Sequence, residues 1–426
     1  MNIGYLIKKI FLTSFTKFIS GFGLILFNYF IIYLMDKNTL GVLTSAISLI
    51  IFLSIFTKFG LNLATLRLTS IFFEKKDIKK IYQLILQTIL ISGFISVVIS
   101  FFLILFEKEI SYEIYGNEEI YGVLKIFALA LPIYTFLEIQ KSLFGSFKIP
   151  ELSGLSDIGS VLFLTLVMIA FVQLVNINLT NYRISLFFLF SCLIIFSFNN
   201  FILFYVVLKN LKLFKTNKIL ISNNSLVKTL PDYFSIDFVN FTTIWGSIFL
   251  CSFFYDFSTV GSFSSVYWLA YSLLFFPLVL NLVYAPYYAI DSNNNDLVKQ
   301  KKHFYQNRNI SIFITLPIFL ILFFFSDFFL KFIFEINSNE LNIIFKILLI
   351  NSLSRVIFGP QILFLNMSNN QKHLKFISII CAIIQILLVL FSLFFLNLIS
   401  LAIAFLFSNL IKHLWLYKVL QKKFKK

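Results

Sequence analysis

The chain has 426 residues, of which 59% are hydrophobic and 13% charged, and its mean hydropathy is +0.92. Soluble domains carry roughly 25% charged residues, so this composition excludes a soluble globular protein and predicts a polytopic membrane protein. The net charge of +16 does not indicate nucleic-acid binding. The basic residues cluster in short breaks between apolar stretches, where they face a membrane surface and set orientation.

Twelve apolar stretches are each long enough for a helix to cross ~30 Å of hydrocarbon. The longest polar interruption is the basic run from Lys209 to Lys228. We therefore predict an all-α integral membrane protein with an N-terminal six-helix bundle over 1–208, a basic cytoplasmic linker over 209–229, and a C-terminal six-helix bundle with a basic tail over 230–426. The predicted spans are 10–35, 40–66, 81–106, 120–146, 153–175, 183–208, 230–255, 260–288, 309–334, 341–366, 374–396 and 399–420.

The basic residues predict the orientation of these spans. Lys8 and Lys9 precede an apolar run that continues to about Met35 without a small-x-small cleavage site, so this run is predicted to remain as the first helix. Of the 35 basic residues, 25 fall in or near breaks on the side of the N-terminus and four in or near breaks on the other side. This imbalance predicts that both termini lie in the cytoplasm.

The breaks and the cysteines argue against several chemistries. The longest breaks are near twenty residues, so no soluble catalytic domain is expected. Cys192, Cys251 and Cys381 lie inside apolar stretches without C-x-x-C spacing or a neighbouring histidine, and are predicted to be small buried residues. The sequence therefore predicts no metal site and no cofactor.

The two halves resemble each other. The turn after the first span reads Asp36-Lys37-Asn38-Thr39-Leu40-Gly41, and the turn after the seventh reads Asp256-Phe257-Ser258-Thr259-Val260-Gly261. The spacing from aspartate to glycine is identical. Two such halves, each starting in the cytoplasm, would be related by a pseudo-two-fold axis along the membrane normal, with a substrate path between them.

Short motifs also follow one another along nearly the whole chain. They are Leu40-Gly41-Val42, Phe59-Gly60-Leu61-Asn62-Leu63-Ala64 with Arg67, Ala130-Leu131-Pro132 leading to Gly145, Tyr255-Asp256 to Gly261, Tyr267-Trp268-Leu269-Ala270, and Gly359-Pro360. In this order they resemble the Wzx-type flippases of polysaccharide export, which belong to the multidrug/oligosaccharidyl-lipid/polysaccharide exporter superfamily. The sequence departs from that family in being unusually rich in phenylalanine and in carrying fewer basic residues inside its spans than some members.

The resemblance implies both a fold and a function. In that family two six-helix bundles form a V around a cationic cavity in the bacterial cytoplasmic membrane. An undecaprenyl-pyrophosphate-linked oligosaccharide is moved from the inner to the outer leaflet by alternating access, driven by an H⁺ or Na⁺ gradient. A polysaccharide polymerase and a chain-length regulator are the implied partners. The resemblance does not distinguish O-antigen from capsule or name the sugar unit.

Ionisable groups inside spans are the candidate functional residues, because each costs several kcal/mol unless it faces a cavity or a partner. The basic ones are Lys17, Lys58, Arg355 and Lys412, and the acidic ones are Glu138 and Asp237. With the family resemblance, the basic residues are predicted to bind the pyrophosphate and sugar. Glu138 and Asp237 are predicted to pair with these cations or to carry the coupling ion. Anchoring of the lysines at the headgroups is the alternative.

Other functional classes stay open at this stage. A multidrug/cation antiporter of the same superfamily would keep the fold but would favour acidic residues in its site. A membrane polymerase or acyltransferase would need catalytic groups at a membrane face. The three histidines, His303, His373 and His413, have no metal-ligand spacing and no serine or cysteine partner, so no enzyme is expected.

Overall fold

The fold is described from a computed structural model over residues 3–74, 77–147, 149–176, 178–210, 224–293, 296–368, 371–395 and 397–425. All regular elements within these residues are helical. The first nine α-helices are α1 (Ile3–Leu34), α2 (Lys37–Lys58), α3 (Leu61–Glu74), α4 (Ile78–Leu105), α5 (Glu107–Glu109), α6 (Val123–Ser146), α7 (Pro150–Ser153), α8 (Ile158–Leu174) and α9 (Asn181–Asn210). The next ten are α10 (Asn224–Ile244), α11 (Gly246–Cys251), α12 (Phe257–Tyr271), α13 (Phe275–Asn293), α14 (Leu297–Phe324), α15 (Ser326–Phe334), α16 (Asn339–Phe358), α17 (Gln361–Met367), α18 (Gln371–Phe395) and α19 (Leu398–Lys425).

Ten helical segments of the described residues are long and apolar enough to cross a membrane. They are Ser14–Leu34, Lys37–Lys58, Ile78–Leu105, Val123–Ser146, Asn181–Tyr205, Phe257–Ala285, Leu297–Phe324, Asn339–Met367, Leu374–Ser392 and Leu398–Phe424. The chain is therefore a multi-pass helical membrane protein, as predicted. Two predicted spans are not among the ten: 153–175 is helical mainly in α8, which has 17 residues, and 230–255 is divided between α10 and α11. The number twelve and the two-bundle symmetry stay predictions.

Helix breaks interrupt some predicted spans. The prediction of one helix over 40–66 is wrong, because Phe59 and Gly60 have φ angles of 44° and 78° in the left-handed region, which ends α2. Gly359, with φ of 76°, likewise ends α16, and α17 begins after Pro360. Most of the predicted linker, residues 211–223, lies outside the described residues, and its flanks are the ends of α9 and α10.

The break at Gly60 is also a packing contact. A Cβ at Gly60 would lie 2.7 Å from the Phe234 backbone nitrogen and 2.8 Å from the Leu230 carbonyl oxygen. We expect Gly60→Ala to destabilise the protein by about 2–4 kcal/mol, because it combines an unfavourable φ with a clash against backbone. The melting temperature of the purified protein in detergent measures this effect.

Gly116→Ala is the matched control for this variant, since Gly116 has φ of 63° but no atom within 4 Å of its Cβ position. A drop as large in Gly116→Ala as in Gly60→Ala would show that backbone conformation alone, and not the contact with α10, explains the effect.

Packing divides the chain into two compact units. Unit 1 comprises Met1–Phe30 and Val42–Phe238, and unit 2 comprises Ile31–Gly41 and Val239–Lys426. In unit 1, α6 packs against α3, α4 and α9, and α8 packs against α9. In unit 2, α19 packs against α16 and α18, and α14 packs against α13 and α16. The prediction of bundles over 1–208 and 230–426 remains a prediction.

The two similar turns, Asp36–Gly41 and Asp256–Gly261, contact each other in unit 2. Asp36 accepts a hydrogen bond from the Thr39 backbone N–H at 2.6 Å, and Asp256 accepts one from the Thr259 N–H at 3.1 Å. Each aspartate therefore caps the helix that follows it. A Cβ at Gly41 would lie 1.7 Å from the Phe257 carbonyl oxygen, and one at Gly261 would lie 2.0 Å from the Lys37 carbonyl oxygen. The starts of α2 and α12 thus pack reciprocally, because the glycine of each helix lies against the first residue of the other.

Two further helix starts, one in each unit, have the same cap. Asp77 precedes α4 and Asp296 precedes α14, with φ of −87° and −85°, and each accepts a hydrogen bond from the backbone N–H of the residue three positions on, Lys80 or Lys299. A side-chain hydrogen bond from Lys80 lowers the pKa of Asp77. The Lys299 backbone N–H lowers the pKa of Asp296. These two Asp-x-x-Lys motifs were not among the features predicted from the sequence.

Candidate functional site

The charges predicted inside spans fall in both units. Lys17, Lys58, Glu138 and Asp237 belong to unit 1, whereas Arg355 and Lys412 belong to unit 2. The two groups differ in chemistry. In the described part of the chain Lys17 and Lys58 are paired with carboxylates, whereas Arg355 and Lys412 are not.

A chain of ion pairs joins four elements of unit 1. Asp157 contacts Lys17 through Oδ2, and its Oδ1 lies 2.6 Å from the Lys141 Nζ. Lys141 also lies 3.5 Å from Glu138, whose other oxygen is 3.4 Å from the Lys58 Nζ. The order is therefore Lys17, Asp157, Lys141, Glu138, Lys58, with each carboxylate held between two lysines.

Local structure brings these groups together. Asp157 occupies the N-cap position of α8, but its side chain makes no cap hydrogen bond, since both of its oxygens face lysines. A Cβ at Gly159 would lie 1.8 Å from the Ser20 carbonyl oxygen, so α1 and α8 touch backbone to backbone one turn from Lys17. Only glycine permits this approach, and it places Asp157 against Lys17.

A hydroxyl pair fixes the other end of the chain. Thr57 and Thr135 share a hydrogen bond of 2.7 Å between their Oγ1 atoms, next to Lys58 and one turn before Glu138. The Lys58 side chain is 8% exposed and the Glu138 side chain 13% exposed. A buried ion pair of this kind contributes little net stability, but breaking it leaves a costly uncompensated charge.

Asp237 completes the acidic side of this site. It lies on α10 beside Asn62 and within electrostatic reach of Lys58. Its Oδ2 is buried and, within the described part of the chain, accepts no hydrogen bond. With Asp237, unit 1 places three carboxylates among three lysines, so the site is neutral when all are ionised. A proton or a small cation at Asp237 would change that balance.

We expect strong coupling between Lys58 and Glu138. Glu138→Leu alone should destabilise the protein by about 3 kcal/mol, because it strands a buried ammonium group, whereas adding Lys58→Met should restore most of that loss. Melting temperatures of the two single variants and the double variant in detergent give the coupling. Lys80→Met is the control, because the Lys80–Asp77 pair at 2.9 Å is exposed and should contribute under about 1 kcal/mol. Additive losses in the double variant would contradict a buried pair.

Two of the predicted functional cations, Lys412 and Arg355, lie in unit 2 and have no acidic partner in the described part of the chain. The Lys412 side chain is buried and lies 3.4 Å from the Thr243 hydroxyl. The Arg355 guanidinium is half-buried and stacks over the Tyr271 ring at 5.6 Å. The two cations lie within electrostatic reach of each other. Neither forms an ion pair within the described ranges.

Neutral polar groups accompany these cations. Asn409 lies one turn before Lys412 and Asn351 one turn before Arg355, on the same helix faces. Both amides are buried, and Asn409 Nδ2 and Asn351 Oδ1 lack a hydrogen-bond partner in the described part of the chain. Buried polar groups are rarely left unpaired, so this arrangement suits a ligand that brings acceptors for the cations and for the Asn409 amide.

The three cysteines are free and buried, as predicted. The two histidines whose side chains the structure describes have separate partners. His303 lies 2.6 Å from Asp291, and His413 stacks on Phe358 and contacts Gln361 at 3.3 Å. Among the described residues no three metal-ligating side chains come together.

Sequence reasoning missed two members of the unit 1 site, Lys141 and Asp157. Both lie near predicted span ends, where charges are expected to face the membrane surface, yet both are central to the chain of ion pairs. The spacing Glu138-x-x-Lys141 is a signal that was available, because residues three apart are neighbours on a helix. Asp157 had no such local signal.

Solved structures of other proteins share the fold of this chain. No protein-family model matches the sequence, and no curated protein matches it. Among solved structures, the lipid II flippase MurJ in an inward closed conformation has a TM-score of 0.70 at 17% identity, covering 97% of this chain and 87% of that chain. A MATE protein in complex with MaD5 has a TM-score of 0.70 at 12% identity, covering 98% and 96%. The MATE multidrug transporter DinF-BH has 0.68 at 14%, covering 97% and 95%.

The chain therefore has the fold of polytopic transporters and flippases. More particularly, it is the fold shared by MurJ and by MATE transporters, one of which is described as a member of the MOP superfamily. Identities this low show the fold alone. The prediction of this kind of fold is confirmed, whereas membership of the superfamily and the Wzx type stay predictions.

Proposed function

We propose that this protein moves undecaprenyl-pyrophosphate-linked oligosaccharides from the inner to the outer leaflet of the bacterial cytoplasmic membrane. Transport proceeds by alternating access and is coupled to an H⁺ or Na⁺ gradient. The observation that carries the proposal is the pair Arg355 and Lys412, two cations within apolar helices that lack an acidic partner in the described chain. An anionic substrate is the partner that such a site lacks.

A pyrophosphate fits the chemistry of these side chains. Arg355 can donate two parallel hydrogen bonds to phosphate oxygens, and Lys412 supplies a compact second charge. Asn409 adds an amide donor one helical turn from Lys412. A neutral drug or an organic cation would leave both charges uncompensated in a low-dielectric environment, at a cost of several kcal/mol.

Unit 1 takes the coupling role in this proposal. Lys17 and Lys58 are held by carboxylates, so they are available to substrate only when Asp157 and Glu138 release them. Asp237, with its buried unpaired oxygen, is the group through which a proton or sodium ion acts. Binding of the coupling ion there and release of Lys58 from Glu138 are linked in our proposal.

The alternative is a multidrug/cation antiporter, because some of the proteins with a similar structure are multidrug transporters. Such a site would need free carboxylates. In the described chain Glu138 and Asp157 are each bonded to two lysines, and our proposal assigns Asp237, which has an unpaired oxygen, to the coupling ion. This balance of charges favours the anionic substrate.

The test is the fate of lipid-linked intermediates in the source bacterium after deletion of this gene. We expect complete undecaprenyl-pyrophosphate-linked units to accumulate on the inner leaflet while surface polysaccharide disappears, and the wild-type gene to restore both. Complete units that reach the outer leaflet unpolymerised would reject the flippase in favour of a polymerase or its partner. Normal polysaccharide together with new drug sensitivity would favour the antiporter.

A further inference from the structure

A second polar site lies in unit 2, away from the two cations. It is a cavity of about 410 Å³ where helices α12, α16 and α19 begin. Its lining residues are Tyr255, Ser258, Thr259, Ser262, Ser338, Glu340, Leu341, Asn397 and Leu398. The set combines hydroxyl groups, one amide, one carboxylate and one aromatic ring. A volume of this size is within the range of small-molecule sites.

The composition of the cavity argues against an anion. Ser338 accepts a hydrogen bond from the Leu341 N–H at 3.4 Å, and Asn397 accepts one from the Ser400 N–H at 3.0 Å, so side chains already satisfy the starts of α16 and α19. Among the described residues, the lining includes the Glu340 carboxylate and no lysine or arginine. A carboxylate and several hydroxyls favour a ligand that presents hydroxyl groups, each of which donates and accepts.

The position of the cavity relates it to the cationic site. Helices α16 and α19 both begin at the cavity and pack against each other. Arg355 lies 16 residues along α16, about 24 Å from Asn339, and Lys412 lies 14 residues along α19, about 21 Å from Leu398. The cavity lies at the start of α19, and Lys425 lies at the other end of that helix. Arg355 and Lys412 are at similar distances along their helices from the cavity. By the distribution of basic residues, the end that holds the cavity faces the outside.

We propose that this cavity binds saccharide at the outer face of the protein, where the glycan of the substrate docks as it leaves the membrane. The inference rests on the proposed function, because it assigns to the sugar a site separate from that of the pyrophosphate. Glu340 accepts hydrogen bonds from sugar hydroxyls, Asn397 donates through its amide hydrogens, and Tyr255 offers a ring face for stacking.

Ligand-observed saturation-transfer NMR on the full-length protein in nanodiscs tests the proposal. The probe is the oligosaccharide that mild acid releases from the lipid-linked pool of the source bacterium. We expect wild-type protein to bind it, Glu340→Ala to weaken the affinity about tenfold, and Tyr255→Phe to have a smaller effect. Glu113→Ala is the control, because Glu113 is equally an exposed acid but lies in unit 1, and its affinity should equal that of wild type.

The outcomes separate this site from the proposed function. No saccharide binding by wild-type protein, or equal binding by Glu340→Ala, would overturn the cavity assignment even if deletion of the gene blocks flipping. Saccharide binding that depends on Glu340, together with normal flipping in the deletion strain, would retain the site and reject the flippase. Weakening as large in Glu113→Ala would show a general loss of charge and would also overturn the assignment.

Discussion

An Arg355→Ala variant should reach the membrane in normal amount and yet fail to restore surface polysaccharide to a deletion strain. The guanidinium lies within the apolar helix α16, has no acidic partner in the described chain, and can hold two phosphate oxygens at once. Loss of a charge-assisted bidentate contact typically removes about 2–4 kcal/mol, or roughly 30- to 1,000-fold in transport rate. The readout is the amount of lipid-linked repeat unit on the inner leaflet.

Two further variants sharpen this prediction. Arg355→Lys keeps the charge but loses the planar fork, so it should restore transport only in part. Lys346→Ala is the matched control on the same helix, because Lys346 lies over the Phe323 ring at 5.8 Å and is expected to anchor α16. It should restore transport fully. Equal failure of Lys346→Ala, or full function of Arg355→Ala, would contradict an anion site at Arg355.

The sequence predicted the class of fold well, because hydrophobic length is a local property. Ten predicted spans overlap helical segments that are long and apolar enough to cross a membrane. The predicted helix ends are wrong where the backbone conformation ends a helix inside an apolar stretch. At Phe59 and Gly60, left-handed φ angles end α2 next to Lys58. Nothing in the apolar pattern of 40–66 marks that break, since both halves are hydrophobic.

The candidate site was predictable only in part. The cost of placing a charge inside an apolar span marked Lys58, Glu138, Arg355 and Lys412 as candidates from the sequence, and their roles stay predictions. Which charges pair depends on which helices touch, and this follows from tertiary contacts such as that of Gly159 with Ser20. Lys17 was therefore predicted to bind substrate without knowledge of its pairing with Asp157. Whether it does so when Asp157 releases it stays a prediction.

The repeated turns at Asp36–Gly41 and Asp256–Gly261 were also predictable only in part. Their aspartate-to-glycine spacing was visible in the sequence, and the aspartates are the helix caps that such a position favours. The role of the glycines was not visible, because it depends on the two turns meeting. In unit 2 each glycine accommodates the first helical residue of the other turn, Phe257 or Lys37.

Alanine at either of these glycines should destabilise the protein strongly. A Cβ 1.7 Å from the Phe257 carbonyl oxygen or 2.0 Å from the Lys37 carbonyl oxygen meets backbone that no rotamer change can move. The starts of α2 and α12 would have to separate, at a cost of about 3 kcal/mol. Melting temperature in detergent should therefore fall for both Gly41→Ala and Gly261→Ala. Polysaccharide restored in a deletion strain should fall with it.

The double variant distinguishes one shared contact from two independent ones. Because a single separation of the two helix starts relieves both clashes, Gly41→Ala with Gly261→Ala should cost clearly less than the sum of the single losses. Gly246→Ala is the control in the same unit, since its Cβ would meet only Thr242 and Phe241 atoms at 3.5 Å and 3.7 Å, and it should be nearly neutral. If the losses of the two single variants add up in the double variant, or if Gly246→Ala loses as much stability, then Gly41 and Gly261 do not act through one shared contact between α2 and α12.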